Sequence, residues 1–200
     1  MAQQLQPSAQ LGIFPQFCAQ QQMTLVLKEK VLSFSGDDFS VKDQFGNVVI
    51  RCEGKALSWS DKTEFLDTAG NHLFDPKNKH FHIYRTMQAE DPAGNVLLTV
   101  KAHFQLIGSK MSATFNNFDG QEVELICEGK FLDRKATITH NDQVIAQVGR
   151  DFFNARQIFG DHQTHQVSVA PGVDLAMMAA ICICLDEQER QKEKLAEFHH

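Results

Sequence analysis

Apolar and polar residues alternate with the period of a β-strand through most of this chain. Residues 23–32 and 39–42 are the first segments with this alternation, and similar segments continue to about residue 170. Alternation over short runs is typical of strands that bury one face and expose the other. The pattern therefore predicts a mainly β protein.

The predicted strands are separated by a recurring turn motif, Asp-x-x-Gly-Asn followed by apolar residues. It occurs at residues 43–47, 67–71 and 91–95, so that its glycines are 24 residues apart. An acidic residue favours entry into a turn, and glycine readily adopts the positive φ that many turns need. Two strands and two connections fit into 24 residues. Residues 23–170 are therefore predicted to form about twelve antiparallel strands.

The pattern changes at residues 175–185, which contain no charged side chain. Asp174 can cap a helix at this point, and Ala, Leu and Met favour helix over strand. The run is shorter than the roughly 17–25 apolar residues that span a bilayer. A helix that is apolar on every face has to be enclosed by protein. Its enclosed positions are predicted to include Leu175, Met177, Met178, Ile181, Cys182 and Leu185.

The strands and the helix together predict one architecture. A closed sheet of about eight strands fills itself with its own side chains, whereas a larger barrel encloses a lumen. We therefore predict a closed antiparallel barrel of about twelve strands around one hydrophobic C-terminal helix. Residues 1–12 are predicted to be disordered, 13–187 to form the single domain with its helix at about 174–185, and 188–200 to be a polar helical or disordered tail.

A coarser repeat indicates an internal duplication. Cys-Glu-Gly-Lys occurs at residues 52–55 and again at 127–130, each time a few residues after a turn and before the next strand. Four matching residues also arise by coincidence, so both interpretations stay open. A duplication would give two halves of about six strands.

The chain resembles the LURP-one-related proteins of plants and fungi, which belong with the tubby C-terminal domain and the phospholipid scramblases. The resemblance covers about residues 15–187. It is carried by motifs that include Phe39-x-Val41-x-Asp43-x-x-Gly46-Asn47, Gly129-x-Phe131-x-x-Arg134 and Val169-Ala-Pro171-Gly-Val173-Asp174. It implies the same twelve-stranded barrel around a central helix. Plant members often carry Trp where this chain has Phe131.

The resemblance implies little chemistry. Tubby domains bind phosphoinositides through surface Lys and Arg, but their binding residues match no motif of this chain. LURP-one-related proteins are linked to plant defence. The scramblase kinship implies a membrane-protein alternative, which the short helix and the charges flanking it disfavour.

Charge and cysteine content narrow the class of protein. The formal net charge is −6, and nucleic-acid binding usually needs a basic face, so we expect no nucleic-acid partner. The five cysteines form no CxxC pair, and no Lys or Arg precedes Lys28. Reduced thiols and the lack of a charged signal region favour a cytoplasmic protein, peripheral at membranes or nuclear. No transmembrane segment is expected.

The histidine and cysteine patterns of the sequence do not support a metal site or a catalytic site. His80-x-His82 and His162-x-x-His165 lack Cys or Glu at zinc-ligand spacing, so solvated or strand-edge histidines are the favoured interpretation. Cys52 and Cys127 fall in predicted strands, so we predict that both are unreactive thiols in the core. We expect no enzyme activity, no catalytic residue, no metal and no cofactor.

Two basic clusters are the candidate ligand-binding residues. Headgroup phosphates are bound by convergent Lys and Arg side chains, so these clusters favour an anionic phospholipid such as a phosphoinositide. Solvated loops are the simpler interpretation of the same residues. The alternative function is a protein-interaction scaffold with an unidentified protein partner and no lipid role. The candidates are Lys77, Lys79 and Arg85 in the first cluster and Lys130, Arg134 and Lys135 in the second.

Overall fold

The fold is a closed barrel of twelve antiparallel strands with one helix inside it. The computed structural model describes residues 4–28, 39–54, 63–79, 86–103, 109–131, 133, 135–149 and 164–197. The strands are β1 (Met23–Lys28), β2 (Phe39–Asp43), β3 (Val48–Gly54), β4 (Thr63–Leu66), β5 (His72–Lys79), β6 (Thr86–Glu90), β7 (Val96–His103), β8 (Lys110–Asn116), β9 (Glu122–Lys130), β10 (Lys135–His140), β11 (Gln143–Gly149) and β12 (Thr164–Val169).

Each strand pairs with the strands before and after it in the chain, and β12 pairs with β1 to close the barrel. The pairing is antiparallel all around the ring, with register shifts in four of the strand pairs. Between β7 and β8 the register is regular, and Leu98 lies opposite Phe115 and Val100 opposite Ala113. These four side chains are buried, which shows that they point into the lumen. The predicted fold class is confirmed.

The Asp-x-x-Gly-Asn motif forms the turns that it predicts. In the turn at residues 67–71, the Asp67 carboxylate accepts hydrogen bonds from the backbone N–H of Ala69 and from both the backbone and side chain of Asn71. Gly70 has φ +86°, a conformation that favours glycine. The Asn71 hydrogen bonds lower the pKa of Asp67. Turns 43–47 and 91–95 repeat the Asp–Asn pairing.

The lumen is filled by helix α1 (Leu175–Glu197). Every residue from 176 to 186 is at most 4% exposed, so this segment is enclosed on all sides, as an apolar helix requires. Met177, Met178 and Ile181 are among the largest fully buried side chains, and Leu175 is half-buried. Beyond the apolar segment predicted at about 174–185, the helix continues without a break through its polar second part to Glu197.

Residues 4–12 differ from the disorder predicted for 1–12. The backbone N–H groups of Ser8 and Leu11 donate to carbonyls in the connection between β12 and α1. Leu5 and Leu11 are buried against the core. Because these hydrogen bonds and apolar contacts hold the segment, it lies across the end of the barrel where the helix begins.

The repeated Cys-Glu-Gly occupies matching places in the barrel. Cys52 lies on β3 and Cys127 on β9, and six steps separate these strands in the ring of twelve. Both thiols are buried, so both face the lumen. A duplication of six strands requires this arrangement.

The alternating strand directions give the barrel two chemically different ends. The turns between β2 and β3, β4 and β5, β6 and β7, β8 and β9, and β10 and β11 share one end, which we call the turn end. Helix α1 also begins there. Each of the five turns contains an aspartate: Asp43, Asp67, Asp91, Asp119 and Asp142. At the opposite end, the lysine end, strands begin or end with Lys28, Lys79, Lys110, Lys130 and Lys135.

Candidate anion-binding surface

The topology brings the two predicted basic clusters to the same end of the barrel. Strands β5 and β9 run in the same direction because four antiparallel steps separate them. Lys77 and Lys79 lie at the close of β5, and Lys130 ends β9. Lys135 begins β10 and lies directly opposite Lys130. Arg85 and Arg134 lie outside the described residues.

Two further lysines connect the clusters. In the strand register, Lys79 lies opposite Thr86, and Thr86 lies opposite Lys101 of β7. Neighbouring strands are about 4.8 Å apart, so Lys79 and Lys101 are separated by about 10 Å along the sheet. Lys110, the first residue of β8, lies opposite His103, which is two residues beyond Lys101 toward the lysine end. Lys101 and Lys110 were not identified from the sequence, because no other Lys or Arg lies close to either of them in the chain.

We call these six residues the basic band, which crosses the outer face from β5 to β10. The band spans about 24 Å, five strand spacings, near the lysine end. It does not encircle the barrel, because Glu53 and Glu64 lie opposite each other on β3 and β4. Its members are Lys77, Lys79, Lys101, Lys110, Lys130 and Lys135.

Among the described residues, some lysines of the basic band form ion pairs with acidic residues, and others do not. The Lys110 ammonium lies 3.1 Å from the Glu128 carboxylate, and Lys130 lies 3.3 Å from Asp133. Within the part of the chain that the structure describes, Lys77, Lys101 and Lys135 have no ion-pair partner. Lys101 and Lys135 are exposed and Lys77 is half-buried. These three cations can therefore bind an external anion without first breaking an internal pair.

The lysine end also contains a buried polar cluster around the helix. His165 is 1% exposed, and its ring packs on Phe131 with centroids 4.6 Å apart. Its Nε2 lies 3.7 Å from the Asp186 carboxylate, which also binds Arg190 through two hydrogen bonds. His165 is thus a core histidine, while His80, His82 and His162 lie outside the described residues.

Two polar residues of α1 that follow Asp186 attach the helix to the barrel wall. Gln188 donates to the Val100 carbonyl of β7 at 3.1 Å, and Glu189 accepts from the Phe131 N–H at 2.8 Å. Both side chains are buried. The hydrophobic pattern predicted the apolar part of the helix but gave no signal for these attachments, which depend on the position of strands far away in the sequence.

The thiols inside the barrel are poorly suited to nucleophilic chemistry. Burial raises the pKa of Cys127 and of Cys184 to about 12, and it raises the pKa of Cys182 well above its usual range. A thiol must ionise to react as a nucleophile. Cys52 is buried as well. The geometry gives these residues a packing role.

We expect Cys182 and Cys184 to react slowly with a thiol reagent at neutral pH in the native protein and rapidly after denaturation. The cause is their burial and raised pKa. Counting modified thiols by mass spectrometry over time measures both rates. An Ala93→Cys variant supplies an exposed thiol as a control, since Ala93 lies in an exposed turn. Native labelling of Cys182 or Cys184 at the control's rate would contradict the enclosed helix.

The fold and surface together define a class of protein: a closed twelve-stranded antiparallel barrel that encloses a C-terminal helix and carries a lysine band at one end. The sequence profile of the family described as LURP-one-related matches residues 23–186. The chain belongs to this family, as its motifs indicated.

Individual relatives match along nearly their whole length. Protein LURP-one-related 15 of Arabidopsis thaliana is 23% identical over 196 residues, which cover 92% of this chain and 90% of the relative. Protein LURP-one-related 10 of the same plant is 24% identical over 190 residues, covering 90% and 96%. An X-ray structure of an Arabidopsis thaliana protein has a TM-score of 0.63 at 19% identity, covering 90% of this chain and 99% of the other. That structure supports the barrel fold.

Helix α1 does not meet the requirements of a membrane span. Among the described residues, no helix is both long and apolar enough to cross a bilayer. The apolar part of α1 is followed by charged residues from Asp186 onward.

Proposed function

We propose that this protein is a non-enzymatic binding module that attaches to anionic phospholipid surfaces through the basic band. The observation that carries the proposal is a set of three lysines on one outer face, Lys77, Lys101 and Lys135, which have no ion-pair partner among the described residues. Phosphate groups on a membrane offer the closely spaced anions that such a face attracts.

The positions of the turn aspartates and of the basic band support one orientation on the membrane. All five described turns of the turn end contain an aspartate, whereas the band presents lysines. An anionic surface attracts the basic band and repels the turn aspartates. This separation of charge reconciles surface binding with a formal net charge of −6.

The expected strength of attachment is moderate. A basic residue near an anionic surface contributes about 1 kcal/mol, so three free lysines contribute about 3 kcal/mol. Since each 1.4 kcal/mol changes an equilibrium constant tenfold, the three together account for about two orders of magnitude in affinity. Raised salt screens this attraction, because Lys101 and Lys135 are exposed and Lys77 is only half-buried.

We expect the triple variant Lys77→Gln, Lys101→Gln, Lys135→Gln to lose about 100-fold in affinity for vesicles that contain phosphatidylserine or a phosphoinositide. Vesicle flotation at low salt measures the bound fraction. The matched control is Lys42→Gln, Ala69→Glu, Ala93→Glu. Each triple variant lowers the net charge by three, from −6 to −9, but the control places all its changes nearer the turn end.

The control variant should float like the wild type, because the basic band is intact. Equal loss by both triple variants would show that net charge alone governs attachment, and the proposed surface would then be wrong. If the wild type does not float with anionic vesicles at low salt, the lipid function fails. The protein-interaction scaffold then becomes the better account of the exposed lysines.

A further inference from the structure

A depression with a volume of about 560 Å³ opens on strands β9, β10 and β11 at the lysine end. Its lining includes Lys135, one of the lysines of the basic band. Pockets of about 300–1,000 Å³ are typical of small-molecule sites. The depression therefore has the size of a site for a small ligand.

Glycines at its rim give the depression a backbone wall. Gly129 and Gly149 both line it. Gly129 has φ +103°, and a Cβ at this position would lie 2.1 Å from the Lys135 carbonyl oxygen. Its N–H donates to the Ser109 carbonyl. Because the Lys135 carbonyl oxygen occupies the space that a Cβ at Gly129 would fill, this part of the wall consists of backbone alone.

Polar side chains on neighbouring strands supply both donors and acceptors. Glu128 lies opposite Thr137, and Thr137 lies opposite Gln147, so a carboxylate, a hydroxyl and a carboxamide stand in one row across three strands. Lys110 holds the Glu128 carboxylate at 3.1 Å. The Thr137 and Gln147 side chains make no hydrogen bond to other described residues. Their hydrogen-bonding groups are therefore available to a ligand.

This combination fits a ligand that carries both a phosphate and several hydroxyl groups. A Lys ammonium binds phosphate as a point charge, whereas hydroxyl and amide groups bind hydroxyls in either direction. A carboxylate accepts hydrogen bonds from hydroxyls but repels phosphate. A simple inorganic anion would leave Glu128, Thr137 and Gln147 without a role.

We infer that the depression binds a phosphorylated polyol, with its phosphate at Lys135 and its hydroxyls at Glu128, Thr137 and Gln147. This inference rests on the proposed attachment through the basic band, of which Lys135 is a member. The polyol phosphate can be a lipid headgroup or a free molecule. Attachment through charge brings the protein to the surface, and the depression selects among the headgroups there.

The test separates selection from charge by leaving every charge in place. The double variant Thr137→Val, Gln147→Leu removes the hydroxyl and the carboxamide, and Thr114→Val removes an outward-facing hydroxyl of β8 outside the depression as the control. Calorimetric titration with inositol trisphosphate, myo-inositol and inorganic phosphate measures binding to the wild type and both variants. Circular dichroism checks that the variants are folded.

We expect saturable binding of inositol trisphosphate to the wild type and to Thr114→Val. Its dissociation constant should rise at least tenfold in the double variant, while myo-inositol and inorganic phosphate bind much more weakly. Absence of inositol trisphosphate binding, or equal binding by the wild type and a folded double variant, would overturn the inference.

Vesicle flotation distinguishes this failure from failure of the proposed function. The double variant should float on phosphatidylserine vesicles like the wild type, because its charges are unchanged. If the wild type floats but binds no inositol trisphosphate, only the polyol site fails. If the wild type does not float, attachment through the basic band fails. Where the site is supported, weaker binding of the double variant than of the wild type to phosphoinositide vesicles identifies the lipid as ligand, and equal vesicle binding identifies the free molecule.

Discussion

Replacing Ile181 by Asp is expected to prevent the protein from folding. Ile181 has no exposed surface and lies in the part of α1 that the barrel encloses on all sides. The substitution removes about 1.5–3 kcal/mol of apolar burial and places a carboxylate where desolvation costs several kcal/mol more. Domains are stable by only about 5–15 kcal/mol, so a loss of this size removes most or all of the stability.

Circular dichroism and thermal unfolding of the purified protein measure the effect. The matched control is Ile181→Val, which should cost about 0.5–1.5 kcal/mol and leave the fold intact. A folded Ile181→Asp protein with the melting temperature of the control would show that the helix is not enclosed by the barrel.

Replacing Asp174 by Asn is expected to destabilise the protein by about 2–6 kcal/mol. One oxygen of Asp174 accepts from the N–H groups of Ala176 and Met177 and caps α1, while the other accepts from Ile13 and Phe14. An Asn side chain has one acceptor oxygen, so its amide would face two backbone donors. Each buried donor left without an acceptor costs about 1–3 kcal/mol.

Burial distinguishes Asp174 from Asp67, the aspartate of an exposed turn. Asp174 has no exposed surface, and desolvation raises the pKa of its carboxyl group against the opposing effect of its four hydrogen bonds. Asp67 accepts a comparable set of hydrogen bonds in an exposed turn. Asp67→Asn is therefore the matched control and should cost much less, because water satisfies the donors it abandons.

Denaturant unfolding measures the free energy of unfolding of both variants. Hydrogen exchange at the amides of Ile13 and Phe14 shows whether the hydrogen bonds of these amides are lost. Faster exchange at these amides in Asp174→Asn, with little change in Asp67→Asn, is the expected result. Equal stability of the two variants would contradict the role of Asp174 as the link between the N-terminal segment and the helix.

The sequence predicts the barrel well because its signals are local. The Asp-x-x-Gly-Asn motif contains its own hydrogen-bonding partners, so the turns at 43–47 and 67–71 follow from five consecutive residues. The helix is equally visible, because residues 175–185 carry no charge. Twelve strands and one apolar helix then define the architecture.

The order of the N-terminal segment could not be predicted from local sequence signals. Residues 4–12 are polar and lack periodicity, which is typical of disorder. Their order depends on hydrogen bonds to the connection before α1 and on contacts of Leu5 and Leu11 with the core. These partners lie about 160 residues away in the chain. No local pattern indicates contacts at that separation.

The candidate surface is likewise only partly visible in the sequence. Lys77 and Lys130 were found because neighbouring cations form clusters, but Lys101 and Lys110 are isolated in the chain. They join the band only through strand register. The buried His165 was weighed as a metal ligand because nothing in its spacing reveals the Asp186 carboxylate beside it.

The orientation of the barrel on a membrane is the most direct test of the account. All five cysteines are buried, so a single introduced surface cysteine can be labelled selectively with an environment-sensitive fluorophore. Thr86→Cys places the label between Lys79 and Lys101, whereas Ala93→Cys places it in the following turn at the turn end. Added phosphatidylserine vesicles should shift the fluorescence at residue 86 and leave residue 93 unchanged. A shift at residue 93 alone, or at neither position at low salt, would contradict attachment through the basic band.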